Sequence, residues 1–501
     1  MAVALFILFL FNLSHAESIQ RALKVYKSEL SDPERTHALY KALNYRCLWT
    51  CQDALRIEDF EELLRDLHHH GLKREDYAVE KDVDPLLKEL LLTDRLIKLS
   101  YHLYHGRIDP REVFEGWTLP REKDLPMEKL KNLVEGGRLT ELVKVLSPES
   151  KEYWFLIEQS KLYTELSQYP WKPLKIKGVL KLGDKSPCVD ELRFRLFLLG
   201  DLQSYEPSDV FDEELQLALK RFQRRHGLEE KGNIDSLTLK ELNISPKERL
   251  NTIHLNLEKH RWLRNANTGK RIIVNIPSFE LFLMEDHKVI IQSKVIVGRN
   301  YIEDFRPTPV LYSGVESLTL NPRWYVPKAI AVKDILPKVK KNVDFLRKKR
   351  IRVFYAGVEL SPDAINWRAL GEHNFPYTLV QEPGPWNALG RIRFNFPNPF
   401  DVYLHDTPEK YLFKREKRAF SSGCIRVEKA KQLAMEILGW SYRKLEEEIS
   451  KEETRTIRLE RKIPIYVLYF TAFSREGLIH FREDLYGYDR IIGQSLFGGR
   501  K

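Results

Sequence analysis

The sequence predicts a multidomain α+β protein with a helical first third, a small three-helix block and a mostly-β second half. Three observations carry this. The chain has 501 residues, more than one ordinary core serves. Apolar residues recur at three and four through the first third, the period of a helix. From Arg271 onward they gather instead into β-branched runs broken by turn residues. The composition, 43% hydrophobic and 31% charged, supplies enough apolar surface to offset the entropy of ordering. The net charge of +10 suits an anionic polymer or membrane surface. It is not gathered into the basic stripe of a nucleic-acid binder, so no nucleic-acid partner is expected.

The elements follow in order. Ala2 to Leu13 is almost wholly apolar, and Ser14-His15-Ala16 is a small-x-small pattern followed by polar Glu17-Ser18. A bilayer span needs roughly 20 residues, so this run reads as the core of a secretory signal peptide, residues 1–16. An uncleaved anchor or a buried helix are the alternatives, and no Lys or Arg precedes the run. Residues 17–170 read as helical. Phe60, Leu63, Leu64 and Leu67 share one face, as do Leu86, Leu87, Leu90 and Leu91. His68-His69-His70 before Gly71 reads as a polar helix end favoured by the dipole. No HExxH occurs, and neither a metal nor a cofactor is expected. Of the four cysteines, Cys47 and Cys51 lie four apart in a helical pattern, bridged or simply packed. Cys188 is expected to be a buried structural thiol.

Pro170 to Pro173 reads as a linker. In the block 176–246, Val189, Leu192, Leu196 and Leu199 form one helical stripe ending at Gly200. Phe211, Leu215, Ala218 and Phe222 form a second, and a short third helix follows Asp235-Ser236. Strands are expected at RIIVNIP, FELFLME and KVIIQSKVIVG. A helical interruption runs from about 327 to 350, Pro- and Gly-rich loops follow, and the strand signal returns at 401–405.

The chemistry concentrates in residues 401–438. Tyr403 and His405 point the same way if 401–405 is a strand. Ser421-Ser422-Gly423-Cys424 follows, then a helix expected near Glu428. Cys424 thus sits between a Gly turn and the approach to a helix, where exposed N–H groups can depress a thiol pKa and cradle an oxyanion. A His close in space can take the thiol proton, leaving an ion pair competent for acyl transfer.

The run His405-x-Thr407-Pro408, then Phe and Arg, then Ser421-Ser422-Gly423-Cys424-Ile425-Arg426-Val427 resembles the signature of the L,D-transpeptidase (YkuD-type) catalytic domain. The likeness is strongest to the large periplasmic type, and it extends to IPIYVLYFTAF and FREDLYGYD near the end of the chain. Residues 219–243, with Phe222-Gln223, Gly227-Leu228, Gly232 and the Thr238 to Asn243 finish, resemble the three-helix peptidoglycan-binding domain. The resemblance implies a helical scaffold domain at 17–170, a peptidoglycan-binding domain at 176–246 and a mostly-β catalytic domain at 271–448. It implies a capping insertion at about 327–390, and a C-terminal extension, 449–501, packed on the catalytic domain and scaffold.

What the resemblance implies for the site is specific. Cys424 matches the nucleophile and His405 the general base. The backbone at Ser422, Gly423 and Cys424 would form the oxyanion hole, and Arg426 would hold the loop. Tyr403, Trp324 and Tyr325 would shape the substrate pocket. The expected reaction is cross-linking of peptidoglycan stems in the periplasm or cell wall, with carbapenem-type β-lactams as inhibitors and peripheral proximity to the membrane. The same site run with water would be a carboxypeptidase, and an inert wall-binding scaffold is the reading from another class. Papain-like peptidases place Cys before His, and sortases carry a Thr-Leu-x-Thr pattern before Cys that is absent here.

Overall fold

A computed structural model describes residues 15–498 except 52–54, 116, 123 and 265–267. The signal-peptide reading falls almost wholly outside the described residues. The architecture is multidomain α+β: a helical N-terminal region, a three-helix block, and a large β domain with an insertion.

The N-terminal region packs around the 21-residue helix Pro85–His105, started by Asp84, whose carboxylate accepts from the Leu86 and Leu87 amides. Phe60, Leu64 and Leu67 are buried together as expected. The second expected face shifts: Leu86 is exposed, and Leu90, Leu92, Leu96, Ile97, Leu99 and Leu103 are buried. This helix lies in the middle of its bundle, so apolar contacts surround it rather than lining one stripe. Cys47 and Cys51 are bonded as a disulfide, in a loop rather than the expected helix. The loop wraps the buried Glu89 carboxylate, which accepts from the Trp49 and Thr50 amides at 2.9 and 2.8 Å. Those bonds satisfy a carboxylate that burial alone would disfavour.

In the three-helix block, Cys188–Leu198, Glu213–Arg225 and Ser236–Leu242 enclose Val189, Leu192, Leu196, Phe211, Leu215, Ala218 and Phe222. Asp212 and Asp235 cap the second and third helices through the Leu215 and Thr238 amides. Gln223 holds the intervening turn, donating to the Asn233 carbonyl and accepting from the Gly232 amide. Cys188 is only half-buried, because it opens its helix at the rim of this core. The helix Pro246–Arg261, not anticipated from the sequence, begins in a Ser245–Glu248 capping box and packs on Lys151–Leu166.

The β domain uses β1 (Lys270–Asn275), β2 (Glu280–Glu285) and β3 (Lys288–Gly298), where the three β-branched runs were read. The short hairpin β4 (Asn300–Tyr301) and β5 (Asp304–Phe305) follows, then β6 (Leu311–Leu320). After the insertion come β11 (Ile392–Asn395), β12 (Leu404–His405), β13 (Ala419–Ser421), β14 (Ile425–Val427) and β15 (Arg455–Leu468). The sheet order is β13-β3-β14-β12-β11-β6-β15-β1-β2, and a β2–β3 pairing closes it into a ring. β15, expected within a C-terminal extension, lies inside the sheet, parallel to β1 and antiparallel to β6. The hairpin β16 (Ala472–Arg475) and β17 (Leu478–Phe481) then turns back toward the helical regions.

The insertion leaves between β6 and β11, which are themselves paired, and folds as a unit with its own small core. Short helical segments from Lys328 to Lys348 pack on a four-stranded sheet, β7-β10-β8-β9. Its strands are β7 (Trp324–Tyr325), β8 (Ile351–Tyr355), β9 (Val358–Leu360) and β10 (Thr378–Gln381). The helical stretch matches the expectation for 327–350. The strands after it stand where loops were expected.

Candidate active site

Strand register builds the site. β12 runs antiparallel to β11 and parallel to β14, pairing Leu404 with Ile425 and His405 with Arg426. Leu404 and Ile425 point into the core. By alternation, Tyr403, His405, Cys424 and Arg426 then share the opposite face. All four line one cavity of about 340 Å³, roofed by Trp324, Ile335, Phe345 and Ile351 of the insertion. The strand expected over 401–405 is only two residues long. Asp401 has φ +53° and residues 401–403 are irregular, so Tyr403 reaches the site from the last loop residue.

His405 is buried, with Nδ1 2.5 Å from the Asp406 carbonyl oxygen. That contact assigns the proton to Nδ1 and leaves Nε2 as the acceptor. Burial, with the Arg426 charge adding to it, brings His405 down to about 3. The Asp406 carboxylate is held by the Arg391 amide at 3.0 Å and by Lys410 at 2.5 Å. A Cβ on Gly390 would stand 2.4 Å from Asp406 Oδ2, so only glycine fits there.

Cys424 is half-buried, its Sγ 3.9 Å from the Asp401 carbonyl oxygen. Burial pushes its thiol up, and hydrogen bonding by Tyr403 and the charges of Arg426 and Arg393 pull it only partly back. The Tyr403 and His405 rings meet edge-on at 5.7 Å, and the Arg393 guanidinium lies 5.3 Å over the Tyr403 ring. Burial thus works against the thiolate and the imidazolium alike. The lowering that exposed N–H groups can give a thiol is outweighed here by burial. Cys424 runs into β14, and the next helix in the chain, Ala430–Leu438, begins only six residues later, so that helix does not start at the sulfur.

The loop carrying Cys424 is pinned on both sides. The Thr308 hydroxyl donates to the Gly423 carbonyl at 2.7 Å and accepts from the Gly298 amide at 2.8 Å. Gly423 has φ +114°, a backbone region that disfavours any Cβ although the space around it is open. The Ser422 hydroxyl accepts from Arg299 and from Arg306, each at 3.0 Å.

Residues 269–441 match the family model described as the L,D-transpeptidase catalytic domain (YkuD). The chain carries an L,D-transpeptidase catalytic domain. Residues 34–159 match the model of a scaffold domain, and residues 186–242 match one described as "Putative peptidoglycan binding domain". A protein named "Putative L,D-transpeptidase" from Haemophilus influenzae is 36% identical over 259 residues, 51% of this chain and 50% of that protein. The chain thus spans about half the length of that relative. Among solved structures, the L,D-transpeptidase from Stackebrandtia nassauensis shares 13% identity at a TM-score of 0.23, covering 62% of this chain and all of that one. The L,D-transpeptidase from Xylanimonas cellulosilytica shares 13% at 0.18, covering 59% of this chain and all of that one.

Within the L,D-transpeptidase domain, most of the residues expected at the site converge. Cys424, His405, Tyr403, Ser422, Arg426 and Trp324 line the cavity, and Gly423 sits in the loop beneath it. Tyr325 does not: it is exposed on β7 and stands outside the cavity, because its neighbour Trp324 takes the inward position of the strand. Arg426 pairs with Glu409 at 2.5 Å. The Gly423 amide is already donated to the Ser421 hydroxyl at 3.2 Å. Sequence reasoning missed Arg299, Arg306 and Asp334. Arg306 bridges Asp304 and Asp334, both at 2.6 Å, so the insertion is tied through it to Ser422. Nothing in the spacing marks them, since the two arginines flank the β4–β5 hairpin while Asp334 and Ser422 come from segments far along the chain.

Proposed function

We propose that this protein is a Cys-dependent L,D-transpeptidase that forms 3-3 cross-links between peptidoglycan stem peptides. The observation that supports it best is the placing of Cys424 and His405 on one face of a roofed cavity, with His405 Nε2 left as an acceptor. Sγ attacks the carbonyl between the third and fourth residues of a donor tetrapeptide while Nε2 takes the thiol proton. The Ser422 and Cys424 amides hold the oxyanion, Gly423 contributing chiefly its backbone conformation. Collapse expels D-alanine, whose amine receives the proton from His405, and leaves a thioester. An acceptor amine then attacks, His405 takes its proton, the new amide forms and the thiol is restored.

A neutral resting pair suits this sequence: proton transfer accompanies attack, and the thiol stays unreactive until a carbonyl is seated. The roof excludes water, which favours the amine over hydrolysis. Arg426 holds the loop, and Tyr403 and Trp324 shape the pocket. Carbapenems, which offer a strained carbonyl, acylate Cys424. The protein works outside the cytoplasm, on the wall, and the three-helix block holds it there.

The test is mass spectrometry of purified tetrapeptide muropeptides incubated with protein lacking residues 1–16. A dimer formed with loss of one D-alanine, and absent with Cys424→Ala, supports the proposal. Monomers trimmed to tripeptide would make the same site an L,D-carboxypeptidase, and unchanged muropeptides would leave an inert peptidoglycan-binding scaffold.

A further inference from the structure

A second cleft, of about 320 Å³, lies between the three-helix block and the β domain. One wall is the end of the helix Glu213–Arg225, its turn, and the helix Ser236–Leu242. The other is the β2 and β3 region with the segments around 416–418 and 482–485.

The walls are locked together. The Arg482 guanidinium donates to the Arg225 carbonyl at 2.9 Å, His226 stacks on Phe481 at 5.7 Å, and a Cβ on Gly227 would stand 2.8 Å from Arg482 Cδ. The Arg225 side chain itself is spent on a buried pair with Asp201 at 2.5 Å.

The charge inside does not balance. Of the carboxylates lining the cleft, Glu230 is paired with Arg224, Glu241 with Arg249, Glu280 with Arg475 and Glu483 with Lys417. Glu416 makes no ion pair among the described residues. Against it stand four cations that make no ion pair among the described residues. Arg418, 5% exposed, donates to the carbonyls of Val295, Arg415, Glu416 and Phe279. Arg482 donates to carbonyls alone. Lys294 donates to the Phe413 carbonyl at 3.2 Å, and Lys240 is exposed. Burial lowers Arg482 to about 10 although the Glu280 and Glu416 carboxylates act to raise it. Leu237, Pro277, Phe279 and Leu485 stand among these cations. A bare inorganic anion needs no apolar wall, but a short peptide ending in a carboxylate uses both.

The geometry points to this cleft as a second, non-catalytic site that binds the carboxylate end of a peptidoglycan stem other than the one being cut. The identity of the polymer rests on the transpeptidase reading, and the anion chemistry does not. β13 leads directly from Arg418 to Cys424. Six residues of extended chain reach at most about 20 Å, so a stem held here keeps its strand near the nucleophile.

The test is calorimetric titration of the full chain carrying Cys424→Ala with a disaccharide-tetrapeptide. Two equivalents are expected to bind, and adding Lys240→Glu with Lys294→Glu should remove one or weaken it at least tenfold. Both lysines are exposed, so thermal unfolding should not move. Leu237→Asp, on the other wall chemistry, should give the same loss. Muropeptide with amidated carboxylates should bind as one equivalent. A single equivalent before substitution, or two equivalents unaffected by the lysine changes, overturns the site. Displacement of the second equivalent by inorganic phosphate at equal strength overturns the stem assignment and leaves a simple anion site. If wild-type protein forms no dimer while the second equivalent persists, the transpeptidase reading fails and the cleft stands.

Discussion

His405 stands directly across from Arg426 in the parallel pairing of β12 with β14, so the base shares a face with a permanent positive charge. Together with burial, that charge keeps the imidazole neutral down to about pH 3.

The pH behaviour follows. The thiol is raised and the imidazole lowered, so alkylation of Cys424 by iodoacetamide should rise steadily with pH and still be rising at pH 9, with no step between 5 and 7. A rate already maximal at pH 7 would show that a thiolate–imidazolium pair exists at rest. Stability should follow the same group. The unfolded chain protonates this histidine below about pH 6.5 while the folded protein does so only near 3, so its contribution is lost as pH falls through that window.

Replacing Arg426 with Gln removes the second cause of the lowered His405 value but not the first, which is burial. The imidazole should titrate higher than in the parent and still below 6.5, as read by NMR of labelled histidine. A shift to 6.5 or above would make the charge, not burial, the dominant cause.

Arg306→Ala cuts the tie between Ser422 and Asp334 of the insertion. Misplacing a catalytic loop by about 1 Å costs on the order of 100-fold, so cross-linking should drop roughly 10- to 100-fold while thermal stability barely moves. Asp334→Asn should reproduce part of the loss, and a rate unchanged in both would show that the roof and the loop act independently.

Gly423→Ala should cost about 1–3 kcal/mol in chemical denaturation, from φ +114° and not from crowding, since the nearest atom to a Cβ is 3.7 Å away. Cross-linking should fall with it as the loop relaxes. A variant as stable and active as the parent would mean the backbone strain argument is wrong.

Much of this was legible because local period reports local structure. β1 to β3 fall where β-branched runs break at turns, and the three helices of the small block fall where the apolar stripes lie. Cys424 and His405 were legible as a pair because the residues between and around them form a recognisable run. What was hidden depends on partners far along the chain. β15 pairs with residues more than a hundred positions upstream, and its first half, RTIRLERK, is largely exposed, so nothing local marks it as central. The arginines that hold Ser422 are hidden for the same reason.

The placing of β15 sets an order of events as the chain is made. The ring carrying Tyr403, His405 and Cys424 lacks a strand between β6 and β1 until residues 455–468, which follow Cys424 in the chain, have arrived. A chain synthesised from its N-terminus therefore carries its thiol unassembled until that strand has followed it.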